Sequence, residues 1–288
     1  MARGTGGMNS NVQIMQAIAA FFEEKTGQHL SESRMWRVET ALRDVMRQHG
    51  LKDLSDLLYA LQADHSDRIA AATIHCITNH ESSFFRDLKV FETVERQVLP
   101  HLNATLPERL LRIWCAGCST GQEVYSLAII LKRQEEMWRN WRVSIVGTDI
   151  SPFSITKAQE GMYQQMDVQR GLPIADLLRW FEPVQDRWRI APELRALASF
   201  KVDNLLDPKA VSGKFDLILC RNVLLYFAPE LRSQALSTLA RHARADTLLL
   251  LGAGETTIGA STLFSPSCEF RGAYQQAAPA AAADRLAG

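Results

Sequence analysis

Along residues 12–76 apolar side chains recur at steps of three and four. Val12, Met15, Ile18, Ala19 and Phe22 form one stripe, and Met35, Val38, Leu42, Val45 and Met46 form another. This spacing places each set on one face of a helix. Ser31 reads as the N-cap of the second helix, with Glu32 in its first turn, and Gly50 reads as its stop. Shorter helical patterns follow at 54–61 and 68–76. No strand signal interrupts them, so 12–76 is expected to be an all-α domain.

From residue 110 the period changes. Apolar runs at 110–114, 143–148, 215–220 and 247–251 read as strands, and amphipathic stretches at 123–137, 154–161 and 229–243 as helices. Alternation of that kind predicts an α/β domain over 110–276, with a mainly parallel sheet covered on both faces. Between 162 and 200 the rhythm is broken by Pro173, Pro183 and Pro192, while Trp188, Arg189 and Ile190 suggest a short strand. That segment is read as an inserted β-subdomain, and 77–109 as a linker with a bridging helix. The Gly-rich stretch 1–11 and the Ala-rich stretch 277–288 are expected to be disordered.

Composition narrows the function. The 288 residues carry 32 basic and 32 acidic side chains, so no global field favours nucleic acid or an anionic surface. No apolar run approaches the roughly 20 residues that span a bilayer, and the first ten residues hold no signal-peptide core. A cytoplasmic protein that does not insert into a membrane is expected. Five cysteines, an odd number, argue for reduced thiols, and the seven histidines show no metal-ligand spacing, so no metal is expected.

The chemistry-bearing stretch follows the first strand. Gly117-Cys118-Ser119-Thr120-Gly121 is a loop of small residues running into a helix near Glu123. Small side chains let a ligand lie against the backbone, and the helix N-terminus presents unpaired N–H groups. Asp149 closes the next strand, where a carboxylate can accept hydrogen bonds from both ribose hydroxyls. An adenosine-containing ligand is therefore expected. Each residue also has a plain structural reading. Glu123 could offset the helix dipole, Asp149 could serve a helix N-terminus, Asn222 a turn and Tyr226 the core, while Arg86 could be a surface arginine behind Phe84 and Phe85. Cys115 and Cys118 have the spacing of a redox pair, but Ser119-Thr120-Gly121 delays the helix that such a pair requires.

Four motifs stand in order: HESSFFRD at 80–87, GCSTGQEVYSLA at 117–128, GTDIS at 147–151 and CRNVLLYF at 220–227. Together they resemble the chemotaxis protein methyltransferase (CheR) family, over residues 12–274. The resemblance implies a Rossmann-like class I methyltransferase domain with a small β-subdomain insertion, preceded by an all-α N-terminal domain. It implies S-adenosylmethionine as cofactor, S-adenosylhomocysteine as product, and glutamate carboxylates on the cytoplasmic helices of chemoreceptors as substrate. By motif position it assigns cofactor contacts to His80, Ser82, Arg86, Gly117, Glu123, Asp149, Asn204, Leu205, Arg221 and Asn222. His80 and Ser82 stand where Asn and Thr are frequent, and Gln122 and Val124 replace a Glu and a Pro. Arg86 and Tyr226 become the candidate catalytic residues, the arginine orienting the incoming carboxylate and the tyrosine restricting its approach. Neither an Asp–His nor a Ser–His arrangement is apparent.

Arg37, Arg43 and Arg47 lie on the polar face of the second helix near Trp36. Solvation explains them by default; the resemblance suggests that they dock on an acidic receptor region. Many relatives carry a longer β-subdomain loop that binds a receptor's C-terminal pentapeptide, whereas 181–188 is compact here, so no tether binding is expected. The chain is expected to act as a monomer without nucleic acid. Competing readings are methylation of nucleic acid or a small molecule on the same fold, and a non-catalytic cofactor-binding regulator. A nicotinamide-dependent dehydrogenase fits less well, since GCSTG lacks the GxGxxG spacing.

Overall fold

The computed structural model of the chain describes residues 6–30, 32–63 and 67–277, without the side chains of 6–10, 32, 33 and 37. Two compact units emerge. The smaller comprises the described residues up to His80 together with Ser151–Phe153 and Tyr226–Ala228; the larger comprises the rest.

The smaller unit holds four helices: α1 (Gly6–Thr26), α2 (Glu32–His49), α3 (Leu54–Gln62) and α4 (Asp67–Ile77). Their apolar stripes meet as predicted, with Ile18, Phe22, Leu42 and Leu57 fully buried. Asp53 caps α3, its carboxylate accepting from Ser55 N and Asp56 N. Gly50 ends α2 in the left-handed conformation at φ 67°. The proposed Ser31 cap lies outside the described residues. So do residues 1–5 and 278–288 of the two stretches expected to be disordered, while 6–11 belong to α1.

The larger unit opens with α5 (Leu88–Thr93), a π-helical turn at Val94–Val98 and α6 (Leu99–Thr105). In chain order there follow β1 (Leu110–Ala116), α7 (Gln122–Arg133), β2 (Arg142–Asp149), α8 (Pro152–Glu160), β3 (Met162–Gln164), α9 (Gln165–Gln169), α10 (Ile174–Trp180), β4 (Phe181–Val184), β5 (Arg187–Ile190), α11 (Pro192–Arg195), β6 (Ala198–Val202), β7 (Phe215–Cys220), α12 (Pro229–His242), β8 (Ala243–Leu251), β9 (Phe264–Pro266) and β10 (Ala273–Gln276).

Seven strands form the main sheet in the order β6-β2-β1-β7-β8-β10-β9. The first five are parallel, and β10 and β9 extend it antiparallel. The apolar run of β7 is buried at every position, as a central parallel strand covered on both faces must be. The chain leaves β1 toward β2 on one side and returns to β7 on the other, which makes the carboxyl ends of β1, β2 and β7 the switch point where such sheets bind ligands.

Two expectations need correction. Segment 77–109 is not a linker over most of its length: Phe84, Phe85, Phe91, Val94, Val98, Leu99 and Leu102 are buried in the core of the larger unit. The inserted subdomain is smaller than 162–200. Its antiparallel sheet, β3-β5-β4, ends at Ile190, and β6 belongs to the main sheet, paired parallel to β2 from Ile145↔Ala198 to Asp149↔Val202.

Candidate functional site

The loop after β1 is tied to the strand beside it. Gly117 N and Cys118 N both donate to Thr148 O, at 2.8 and 2.9 Å, and Ser119 N donates to Asp149 Oδ2 at 2.9 Å. Gly117 is left-handed at φ 77°, and a Cβ there would overlap Val223 Cγ2. Only glycine fits. Gly121 precedes α7 at φ 92°, where a Cβ would come within 2.9 Å of Ala158 Cβ. Gln122 is buried in the first turn of α7, its Oε1 accepting from Thr120 Oγ1 at 2.9 Å.

Glu123 faces the end of β7. Its Oε2 accepts from Arg221 Nη1 at 2.9 Å, with the two side chains 14% and 2% exposed. Burial pushes the Glu123 carboxyl above its ordinary range, while Arg221 and the Cys115 thiol pull it back. The same guanidinium continues into the HESSFFRD loop, where Arg221 Nη2 donates to Arg86 O at 2.8 Å and Asp87 Oδ2 at 2.5 Å. Arg86 is thereby fixed through its backbone between two left-handed residues, Phe85 (φ 49°) and Asp87 (φ 61°). Its own side chain donates from Nη1 to Glu81 O at 2.7 Å. Arg221 Nε is buried without a hydrogen-bond partner among the described residues.

The remaining assigned positions line the neighbouring strand ends. Asn222 is left-handed at φ 59°, which asparagine tolerates better than most residues, and its N–H donates to Glu255 Oε2 at 2.7 Å. Asn204 Oδ1 accepts from Leu206 N at 2.9 Å in a turn that contains Leu205. That turn hangs from Asp203, which accepts from the N–H groups of Asn204, Lys209, Ala210 and Val211 at 2.9–3.1 Å. Ser82 is half-buried on the segment leading to Phe84.

Two assigned residues belong to the smaller unit. His80 Nε2 donates to His75 O at 2.7 Å, and the two ring centres lie 4.3 Å apart at a tilt of 31°. Tyr226 Oη accepts from Asn79 Nδ2 at 2.7 Å, and Arg34 lies 5.7 Å from the centre of its ring. This unit also contains a Ser–His contact that sequence reading did not anticipate, with His75 Nδ1 and Ser151 Oγ sharing a hydrogen bond of 2.8 Å. Ser151 is 0% exposed, and burial together with the neighbouring His80 lowers the His75 pKa to about 4. A buried hydroxyl beside so weak a base is a structural contact, not a nucleophile. Exposed Arg43 and Arg47 pair within α2, with Glu39 at 3.8 Å and Asp44 at 2.7 Å; the side chain of Arg37 lies outside the described residues.

A family described as CheR methyltransferase, SAM binding domain, matches residues 80–269. The chain belongs to the CheR methyltransferase family. It is 33% identical to chemotaxis protein methyltransferase Cher2 of Pseudomonas putida, over 83% of this chain and 88% of that protein. It is 34% identical to a chemotaxis protein methyltransferase of Vibrio parahaemolyticus, over 88% and 92%, and 32% identical to one of Borreliella burgdorferi, over 82% and 86%. It is thus an S-adenosylmethionine-dependent methyltransferase of the chemotaxis class.

The site fits that cofactor. The Gly117 loop allows close approach at a helix N-terminus, Asp149 places a carboxylate at the end of β2, and Arg221 Nε is a buried donor with no hydrogen-bond partner among the described residues. Within the larger unit, Gly117, Glu123, Asp149, Arg221, Asn222 and the Arg86 backbone converge on three adjacent strand ends. Sequence reading missed Asp87, Asp203 and Glu255. The last had a signal: Leu251-Gly252-Ala253-Gly254-Glu255 repeats the pattern of apolar strand, small residues and acid seen at 114–123.

Proposed function

We propose that this enzyme transfers the cofactor's methyl group to glutamate side chains on the cytoplasmic helices of chemoreceptors, as a monomer and without a receptor tether. The observation that carries the reading is the pinned Arg86. A buried arginine, Arg221, holds its backbone, and its guanidinium donates to Glu81 O on a loop beside the cofactor site. A glutamate carboxylate has a reference pKa near 4.3 and is already the nucleophile at pH 7, so the reaction asks for alignment and desolvation, not a general base. Bound S-adenosylmethionine supplies the electrophilic methyl; the chain's own task is to present a cationic guide for the carboxylate. Arg86 does this, and Tyr226 is the second candidate catalytic residue.

Absence of tether binding rests on the hairpin between β4 and β5. Val184 pairs with Arg187 across a two-residue turn with Gln185 left-handed at φ 56°, so this hairpin carries no inserted loop, which supports the reading. Docking on the receptor falls to α2, through Arg37, Arg43 and Arg47. Methyl transfer from tritiated cofactor to receptor-containing membranes tests the glutamate assignment. Counts released by mild base mark glutamate esters; base-stable counts, or none, would refute it.

A further inference from the structure

We infer that Glu255 is a positioning residue for cofactor binding, acting through the loop that carries Asn222. Its two carboxylate oxygens collect four backbone N–H groups from two loops. Oε2 accepts from Asn222 N and Gly252 N, both at 2.7 Å, and Oε1 accepts from Val223 N at 2.8 Å and Leu225 N at 3.2 Å. These loops follow β7 and β8, adjacent parallel strands whose carboxyl ends flank the site. A carboxylate accepting several N–H groups is a strong anchor, because each bond is charge-assisted.

The arrangement is built, not incidental. A Cβ on Gly252 would stand 2.7 Å from Glu255 Oε2 and 2.9 Å from Asn222 N, so glycine is required for the carboxylate to reach the loop. Asn222 takes a left-handed φ of 59°, a conformation that needs outside support, and its N–H is one of the four held. The backbone of Asn222 is thus held by a carboxylate 33 residues away, which fixes where its side chain departs from the loop.

The inference rests on cofactor binding by this site and not on the receptor substrate. Glu255→Gln tests it with little change of shape. Whichever way the amide turns, its NH2 replaces an oxygen that accepted two N–H groups, so two donors face a donor. Calorimetry with S-adenosylhomocysteine is expected to give at least a tenfold higher Kd with one site per folded chain. A residue that only stabilises the fold would lower the melting temperature and leave Kd unchanged, so a Kd within twofold of wild type overturns the inference. Asn222→Gly, which keeps the left-handed freedom but removes the side chain, is then added. Its effect on Kd is expected to shrink at least threefold in the Glu255→Gln background, and full additivity counts against the proposal. If Glu255→Gln does not fold, hydrogen exchange on the ligand-free wild type decides. Protection of the 222, 223 and 225 amides near that of β7 supports the nest, and free exchange refutes it. Failure of wild type to bind the product would instead sink the cofactor reading.

Discussion

Replacing Arg221 with methionine should damage this protein more than any exposed charge can. The guanidinium is 2% exposed and bonds Glu123 Oε2, Arg86 O and Asp87 Oδ2. Removing one partner of a buried pair strands the other, a loss of about 3–5 kcal/mol. For a domain of this size each kcal/mol lowers Tm by about 2–4 °C, so a fall of about 6–20 °C is expected in the ligand-free protein. Most of that loss traces to Glu123, since Asp87 is 40% exposed and can return to water. The double variant Arg221→Met, Glu123→Gln should therefore recover at least half of it, because no charge is left buried.

The dependence on pH gives a second check with a definite sign. Burial already raises the Glu123 pKa, and Arg221 is the chief opposing influence. An acid whose folded pKa lies above its unfolded value adds stability below the unfolded pKa and loses it as pH rises through the folded one. Without the arginine the folded pKa climbs further. The gap in Tm between wild type and Arg221→Met should thus widen from pH 5 to pH 8, measured by calorimetric melting. A gap that is constant across this range, or a Tm within 2 °C of wild type, would show that Glu123 is not electrostatically buried and would refute the reasoning.

Four further outcomes are expected. Gly117→Ala forces a left-handed alanine against Val223, costing about 2–4 kcal/mol from strain and overpacking together; product binding by calorimetry should weaken at least tenfold. Arg86→Ala should cut methyl transfer at least tenfold with Tm within a few degrees of wild type, since the arginine's backbone still accepts from Arg221; wild-type turnover would remove it from the mechanism. His75 is held neutral with its pKa near 4, so the unfolded chain binds the extra proton first and the smaller unit should lose about 1–2 kcal/mol as pH falls from 6.5 to 4; hydrogen exchange of α4 at both ends of that window, corrected for intrinsic rates, reads it, and His75→Gln should flatten it. Charge reversal at Arg43 and Arg47 should slow methylation of receptor membranes at low salt while leaving cofactor Kd intact; unchanged rates would return these residues to a solvated face.

The parts of the fold that local chemistry dictates were legible in the sequence. β1, β2, β7 and β8 read as apolar runs because parallel strands are covered on both faces. β6 escaped because it is the edge strand beside β2: Ala198, Ser199, Lys201 and Val202 are partly or fully exposed and only Phe200 is buried. The Pro-broken stretch before it therefore blended into the insertion. At the site, motif spacing identified the glycine loop, Asp149, Glu123 and Arg221. It could not disclose that Arg221 would spend its guanidinium on Glu123 and the Arg86 loop, since those contacts join residues 98 and 135 positions apart. Glu255 and Asp203 were invisible for the same reason, as their partners are backbone amides that every residue carries.

Backbone strain explains why those distant contacts exist. Among the described residues five that are not glycine adopt positive φ: Phe85, Asp87, Ser119, Gln185 and Asn222. Gln185 turns a hairpin, where the conformation is expected. The other four occupy three of the four family motifs at the site, and each such residue costs on the order of 1–3 kcal/mol. Each is matched by a side chain from elsewhere: Phe85 N by Ser126 Oγ, Asp87 Oδ2 by Arg221, Ser119 N by Asp149 and Asn222 N by Glu255. Three of these four anchors involve charged groups, whose hydrogen bonds are about twice as strong as neutral ones. The loops are therefore held in place before any ligand arrives. A site assembled this way gives up stability that a looser loop would keep, and in exchange presents its cofactor contacts without an ordering cost at the moment of binding.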